Sequence, residues 1–290
     1  MSIPDQQKSI LVTGASSGIG KASALALLAR GFRVFAGVRS ERDADRLRGE
    51  VPADSRERLQ SIELDVTDAA QIEAAAAQLE PALGAGGLWG LFNNAGITVN
   101  GPLELVPIDG LRRQLEVNVV GQVAVTQAFL PMLRRRRGRI LTTGSVAGLI
   151  TVPGLGPYAM SKHAIESFSD GLRRELRPWG IEVSLLEPGA IATDIWQKGV
   201  HEVDELLQDP PPKLKELYGP LIAALRSAAE ESERRASPAE LVARAVVHAF
   251  TARRPKTRYC LGRDSSAQKW ISRLPDRWTD SILLRVLGLR

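Results

Sequence analysis

The sequence predicts an α/β fold, a doubly wound parallel sheet of about seven strands, and three observations carry that expectation. Short apolar runs alternate with longer stretches of helical periodicity through most of the chain. Strand, helix and strand in succession require a crossover each time, which lays helices on both faces of a parallel sheet. A glycine-rich turn joins the first apolar run to the first helical stretch, a placement suited to holding phosphate. Finally, the chain has 290 residues, 44% hydrophobic and 24% charged, so it can bury a sizeable core, and no Pro/Gly/Ser-rich linker divides it. One domain spanning 1–290 is the reading these features favour.

The strands follow from the apolar runs. The first is Ser9–Thr13, built on Ile10-Leu11-Val12, and the others are Arg33–Val38, Gln60–Leu64, Trp89–Asn93, Arg139–Thr143, Ile181–Leu186 and Arg258–Leu261. All are too short for a helix to be the better reading. Helices are expected to begin near Gly18, Glu41, Ala69, Ile108, Gly156 and Pro238. The first of them runs from Lys21 to Arg30 and is stopped by Gly31.

Two regions depart from the alternation. Ile195 to Arg235 lies between the sixth strand and the next helix and carries Pro210-Pro211-Pro212. So long a connection inside a compact domain is usually functional, and the expectation is a substrate lid or an inserted helical pair. The tail, residues 265–290, repeats Trp270, Leu274, Trp278, Ile282 and Val286 at four-residue spacing, an amphipathic helix interrupted at Pro275. Its apolar face is expected to bury against the protein or a partner subunit. A peripheral membrane contact is the alternative, since Lys269, Arg273, Arg277 and Arg285 flank the stripe.

The bulk numbers narrow the setting. A net charge of +5 favours anionic small molecules or acidic partners without selecting nucleic acid. The single cysteine, Cys260, cannot form an internal disulfide, and Met1 to Ser9 is short and polar rather than a targeting segment, so a reducing, cytoplasmic setting is expected. No apolar run approaches the ~18 residues that would suggest a membrane span.

The first strand ends in Thr13-Gly14-Ala15-Ser16-Ser17-Gly18-Ile19-Gly20. Glycines let the backbone approach a ligand where a side chain would collide, and the following helix offers unpaired N–H groups to a pyrophosphate. Three residues separate Gly14 from Gly18, and this spacing resembles the turn of the short-chain dehydrogenase/reductase family. The resemblance runs from about Ser9 to Gly262. It implies a Rossmann-type fold and a nicotinamide dinucleotide, bound at the turn by Gly14, Ser16, Ser17, Gly18, Ile19 and Gly20. The second strand ends in Val38-Arg39-Ser40. In the family Val38 holds the place of an acidic residue that would repel a 2′-phosphate, and Arg39 can grip one. The implied cofactor is therefore NADP(H), with NAD(H) as the other option, and Arg39 and Ser40 are its selecting residues. Asp65 and Val66 match the adenine-contacting segment, Asn93, Ala95 and Gly96 the stretch beside the ribose, in which Asn93 braces the sheet, and Pro188, Gly189, Ile191 and Thr193 the segment that binds the nicotinamide carboxamide.

Tyr158 and Lys162 are four residues apart, on one face of a helix. Ser145 lies thirteen residues before Tyr158 at the end of the fifth strand, and Asn118 lies upstream of both. Together they resemble the family's catalytic tetrad. Moving a hydride to or from a carbonyl carbon requires a proton to move on its oxygen, and a free phenol with a pKa of about 10 needs help to do so at neutral pH. The resemblance gives Lys162 the task of lowering that pKa and holding the nicotinamide ribose. It assigns Ser145 to the substrate oxygen and Asn118 to a water linking Lys162 to solvent. The segment after Tyr158, Ser161 to Asp170, is similar to the retinol and hydroxysteroid dehydrogenase branch, which implies a lipophilic alcohol, ketone or aldehyde as substrate. Leu149, Ile150, Val152, Pro153 and Leu155 would suit it. A homodimer or homotetramer through the helices around Ile108–Leu133 and Gly156–Pro178 is implied as well.

Other features read more plainly. The run Arg134–Arg137 with Arg139 fits a helix C-terminus capped by Gly138. A 3-oxoacyl-carrier reductase docking an acidic carrier on that run is the rival within the class. A non-catalytic NADP-binding regulator and a nucleic-acid binder are rivals outside it. His163 is expected to be packed or exposed and Cys260 buried and inert, and no cluster has metal-ligand spacing.

Overall fold

In a computed structural model, residues 8–193, 212–262 and 265–289 are described. Strands β1 (Ser9–Val12), β2 (Arg33–Val38), β3 (Leu59–Glu63), β4 (Gly90–Asn93), β5 (Arg139–Thr143), β6 (Glu182–Pro188) and β7 (Arg258–Leu261) form one parallel sheet. Their order is β3-β2-β1-β4-β5-β6-β7. β1 pairs with β2 through Leu11↔Phe35 and with β4 through Leu11↔Leu91. The chain thus builds outward from β1 to β3 and then restarts on the other side at β4. That reversal opens a crevice beyond the carboxyl ends of β1 and β4, the place where open α/β sheets bind ligands. All seven expected strands are present, with ends moved by one or two residues.

The helices are α1 (Gly18–Ala29), α2 (Glu41–Glu50), α3 (Ala69–Leu83), α4 (Ile108–Leu115), α5 (Gly121–Arg136), α6 (Gly156–Glu175), α7 (Pro212–Arg235), α8 (Ala239–Thr251), α9 (Ser265–Ile271) and α10 (Asp276–Val286). Alternation along the strands decides which helix packs where. Ile10, Val12, Val34 and Phe92 face one layer, filled by Leu27 of α1 and by Val242, Val246 and Phe250 of α8. Leu11, Phe35, Leu91 and Ile140 face the other, filled by Leu79 of α3 and by Val125, Phe129 and Leu133 of α5. Each such buried Leu or Phe contributes roughly 1.5–3 kcal/mol. This two-sided core holds the strand ends, and with them the site, in fixed register.

Between β4 and β5, α4 and α5 form one continuous run whose middle, Glu116–Val120, is a π-turn. A π-turn rotates the residues after it relative to the helix before it, and such turns gather at functional sites. Asn118 lies in this one and is completely buried. At the far end of α5 the left-handed cap is Arg137, at φ 49°, rather than the expected Gly138. Glycine is needed at 138 for a different reason, because a Cβ there would lie 2.6 Å from the Leu88 carbonyl oxygen.

The segment expected to form a lid or a helical pair falls into two parts. Residues 194–211, including Pro210 and Pro211, lie outside the described residues, whereas Pro212–Arg235 is the single long helix α7. Leu225 of α7 packs so closely on Gly154 that a Cβ at 154 would lie 2.2 Å from its Cδ1. Tyr218 of the same helix donates a hydrogen bond to Glu104 at 2.6 Å. The tail is helical on both sides of Pro275, as its stripe predicts, but burial of that stripe against its own domain is not observed. Trp270, Trp278 and Val286 are 71%, 65% and 78% exposed. α10 contains no buried residue. Among the described residues no helix is long and apolar enough to cross a membrane.

Candidate active site

The crevice is a cleft of about 610 Å³, inside the range of pockets that hold cofactors. Gly14, Ser16, Ser17, Gly18 and Ile19 line it along the β1–α1 turn. Gly14 and Gly18 have φ of 63° and 52°, a left-handed conformation that costs other residues energy. Arg39, Asp65 and Val66 line the cleft on the β2–β3 side, Ala95 and Gly96 after β4, and Ser145, Tyr158, Lys162, Pro188, Gly189, Ile191 and Thr193 on the β5–β6 side.

Four expected residues stand back from the cleft. Asn93 is fully buried and donates to Thr126 Oγ1 at 2.8 Å, because the alternation of β4 turns it toward α5. Asn94 is the residue that lines the cleft. Its Nδ2 donates to the carbonyls of Thr13 and Gly14 at 3.1 and 3.2 Å, clipping the phosphate turn onto β4. Strand periodicity could have separated the two asparagines. Gly20 is a packing glycine, since a Cβ there would come within 2.1 Å of the Gly14 carbonyl oxygen. Ser40 caps α2, its Oγ accepting from Asp43 N at 3.2 Å. Asn118 accepts from Ile97 N at 2.8 Å and donates to Ile97 O at 3.0 Å and to Ser161 Oγ at 3.1 Å. Its direct partners therefore fix the backbone behind the cleft and the helix that carries Tyr158.

The sequence reading also overlooked Arg113 and Thr143, which line the cleft, and Arg46, whose Nη2 donates to Ser16 O at 3.1 Å and braces the turn. These residues belong to no short motif, and only the fold brings them to the site.

At the β5–β6 side, Ser145 Oγ accepts from Ala147 N at 3.1 Å and donates to Pro188 O at 3.4 Å. Lys162 is 4% exposed, and its Nζ donates to Thr143 O at 2.8 Å. The ammonium lies 5.5 Å from the centre of the Tyr158 ring. Burial pulls the Lys162 pKa down to about 8. Burial likewise pushes the Tyr158 phenol up to about 12, against a hydrogen bond from Ser145 that lowers it. In the protein alone, then, desolvation outweighs the lowering expected from Lys162, and the phenol is a firmly protonated acid. Asp65 Oδ1 accepts from Thr67 N and Oγ1 at 2.9 and 2.7 Å, which shapes the turn after β3.

A second, smaller chamber of about 190 Å³ adjoins Ser145 and Gly189. Its walls are mostly apolar: Val146, Ala147, Ile150, Val152 and Leu155 from the β5–α6 connection, Ile222 and Leu225 from α7, and Gln268 and Leu287 from the tail. Leu149 and Pro153, also expected here, are not among its walls, whereas the helix and tail residues come from outside any motif.

The arginine run has separate local partners. Arg134 stacks on Trp179 at 4.8 Å, Arg135 pairs with Glu80 at 2.8 Å, and Arg139 donates to the carbonyls of Ala249 and Ala252. Cys260 is free and half-buried rather than buried. His163 is exposed, with Nδ1 2.9 Å from Ala159 O. Among the described residues no group of His, Cys, Asp and Glu could hold a metal ion.

A glycine-turn cleft at the switch point of a parallel sheet, with Ser, Tyr and Lys gathered at one side, defines a dehydrogenase or reductase of the Rossmann class. The chain belongs to the short chain dehydrogenase family, whose pattern matches residues 8–204. It is 38% identical to the NADPH-dependent 3-dehydrocapnine reductase of Ornithobacterium rhinotracheale, with 96% of each chain covered. It is also 38% identical to human retinol dehydrogenase 16, over 90% of this chain and 82% of that protein. Identity to bovine 17-beta-hydroxysteroid dehydrogenase type 6 is 38%, covering 97% and 89% of the two chains. Among solved structures, a short-chain dehydrogenase from Streptomyces avermitilis superposes with a TM-score of 0.74 at 29% identity, covering 97% and 95% of the two chains.

Proposed function

We propose that the protein interconverts a lipophilic alcohol with its ketone or aldehyde, using NADP(H), with Tyr158 as the general acid and base. The observation that carries this reading is the junction of the two cavities: Ser145 lines both the large cleft and the apolar chamber. A carbonyl seated beside Ser145 would have its apolar remainder in the chamber and its reacting carbon facing the cleft. The relatives named for retinol, a hydroxysteroid and an NADPH-dependent reduction support the substrate and cofactor classes.

The glycine turn, with its cradle closed by Asn94 and Arg46, fits a dinucleotide. Arg39 lines the cleft at the end of β2, which supports it as the residue that would grip a 2′-phosphate. Bound nicotinamide would supply or accept the hydride. The chain's own residues do the remaining work. Ser145 orients the substrate oxygen, Tyr158 gives its phenolic proton to that oxygen in reduction and retrieves it in oxidation, and Lys162 holds the ribose end and supplies positive charge beside the phenol. Positive charge from the oxidised cofactor would offset the burial that holds the phenol near 12 even beside Lys162.

Ile108, Val120 and Met160, exposed on and between α4, α5 and α6, support a homodimer or homotetramer through those helices. Cytoplasmic placement belongs to the same proposal. A screen of lipophilic ketones and alcohols against NADPH, NADH and their oxidised forms tests the whole reading. Turnover confined to small polar carbonyls, or to NADH, would contradict it.

A further inference from the structure

The tail departs from ordinary packing in one respect: none of its apolar side chains is fully buried. α10 has no buried residue, and Ser265 alone is buried in α9. Yet Gln268 and Leu287, one from each end of the tail, reach the apolar chamber. What holds them there is charge. Glu187, the residue before Pro188 in β6, is completely buried, and a carboxylate in that position must be paired. Its Oε2 accepts a hydrogen bond from Lys269 Nζ of α9 at 3.0 Å. Its Oε1 lies 3.0 Å from Arg258 Nε but is not aligned for a hydrogen bond.

Arg258 cannot serve Glu187 alone, because it also binds Glu166 at 2.7 Å and Asp170 at 3.1 Å. Three carboxylates share that guanidinium; Asp170 also pairs with Arg173 and Arg174, and for Glu187 the second cation is the tail's lysine. Glu166 carries the mark of this crowding: burial first, and then its acidic neighbours, push it up to about 7 against the pull of Arg258. The clasp is also close to the chemistry, since the carbonyl of the next residue, Pro188, accepts from Ser145.

We propose that the ion pair between Lys269 and the buried Glu187 fastens the C-terminal tail as a wall of the substrate chamber, with Leu287 the residue that limits how far an apolar substrate can extend. Lys269 is a positioning residue and Leu287 a specificity residue. The inference rests on the chamber being the substrate site.

The test uses full-length protein and straight-chain 2-ketones from hexan-2-one to tetradecan-2-one. Binding is read without turnover, as thermal stabilisation of the NADP⁺-loaded protein; kcat and KM follow with NADPH. Leu287→Ala should shift the best-bound ketone to a longer chain and raise kcat/KM for that ketone about tenfold, the scale on which apolar pockets discriminate single methylenes. Lys269→Met should flatten the chain-length preference and raise KM more than it changes kcat, and Lys269→Arg should restore the preference. The same preferred length in wild type, Leu287→Ala and Lys269→Met would overturn the clasp while leaving the chamber intact. Should Lys269→Met fail to fold, Leu287→Ala alone decides the point. Failure of every ketone to bind any of the proteins would remove the chamber reading and the clasp with it.

Discussion

The two halves of the site are built by different means. The cofactor cleft is tied together by hydrogen bonds between strand ends: Thr13 Oγ1 accepts from Asn94 N at 2.9 Å and Ala95 N at 3.0 Å, and Asn94 returns two bonds to the turn. These groups sit on a sheet with a core on both faces. The chamber's outer wall is a single long helix and a tail whose helices bury almost nothing, fastened by one buried carboxylate. Chemistry that must recur in the same geometry sits on the rigid half, whereas the surface that meets the variable part of a substrate sits on elements held by fewer contacts. The two halves should therefore answer differently to mutation.

The largest effect belongs to the rigid half. Tyr158→Phe keeps the ring and its packing but removes the proton, so turnover should fall by about two to four decades while NADP(H) affinity stays within about twofold. Steady-state kinetics with a fluorescence titration of NADPH checks both. Activity above a few percent of wild type would mean another group moves the proton. Next comes Arg39→Ala. A charge-assisted contact to phosphate is worth roughly 1.5–3 kcal/mol, or about one to two decades of affinity. NADP(H) should weaken by that factor and NAD(H) hardly at all, and adding Val38→Asp should widen the gap. A wild-type protein that binds NAD(H) tighter than NADP(H) would leave Arg39 as an exposed strand-end residue.

The same division explains what could be read from the sequence. Alternating runs gave all seven strands because strands buried on both faces are written as apolar blocks. The glycine turn, Ser145, Tyr158 and Lys162 were legible because short spacings on regular elements fix their geometry. Asn93 is legible as a brace of the sheet, but the motif names two asparagines, and only the pleat decides that Asn94 is the one facing the cleft. Asn118 was found, but its π-turn was not, since nothing in Glu116–Val120 departs from an ordinary helical pattern. Arg46, Arg113, Gln268 and Leu287 left no local signal at all. They reach the site through long-range packing, and so does Glu187, whose burial cannot be inferred from the neighbouring Pro-Gly.

Lys162 gives a test within the rigid half of how far function is set against stability. Its pKa falls from 10.5 to about 8 on folding, so between those values the unfolded chain binds more protons than the folded one. Stability must then rise with pH across that window. Below about pH 8 keeping the ammonium charged in its buried position costs roughly 3 kcal/mol. Lys162→Met should be inactive, and its stability relative to wild type should fall by about 3 kcal/mol between pH 7 and pH 10.5, as the wild type sheds its buried charge. Urea unfolding of the cofactor-free proteins across that range checks the sign. Parallel stability profiles for the two proteins across that range would show that burial does not depress the Lys162 pKa.

The smallest effect on folding should come from the tail's outer face, and it sharpens the comparison within a single dipeptide. Lys269 reaches inward to Glu187, whereas Trp270, its neighbour, is 71% exposed and Trp278 is 65% exposed. Exposed side chains contribute little to folding, so Trp270→Ala with Trp278→Ala should change stability by no more than about 0.5 kcal/mol. Two exposed tryptophans flanked by Arg273, Arg277 and Arg285 nonetheless have the composition of a surface that rests on something. An anionic bilayer and a second subunit predict different losses for the double variant. Contact with lipid would be lost as sedimentation with phosphatidylserine-containing liposomes, with the oligomer unchanged. Contact with a partner would be lost as a smaller species in sedimentation velocity, with no liposome binding before or after. A drop in urea stability of about 2 kcal/mol or more would contradict both, because it would place the tryptophans in the fold's own core.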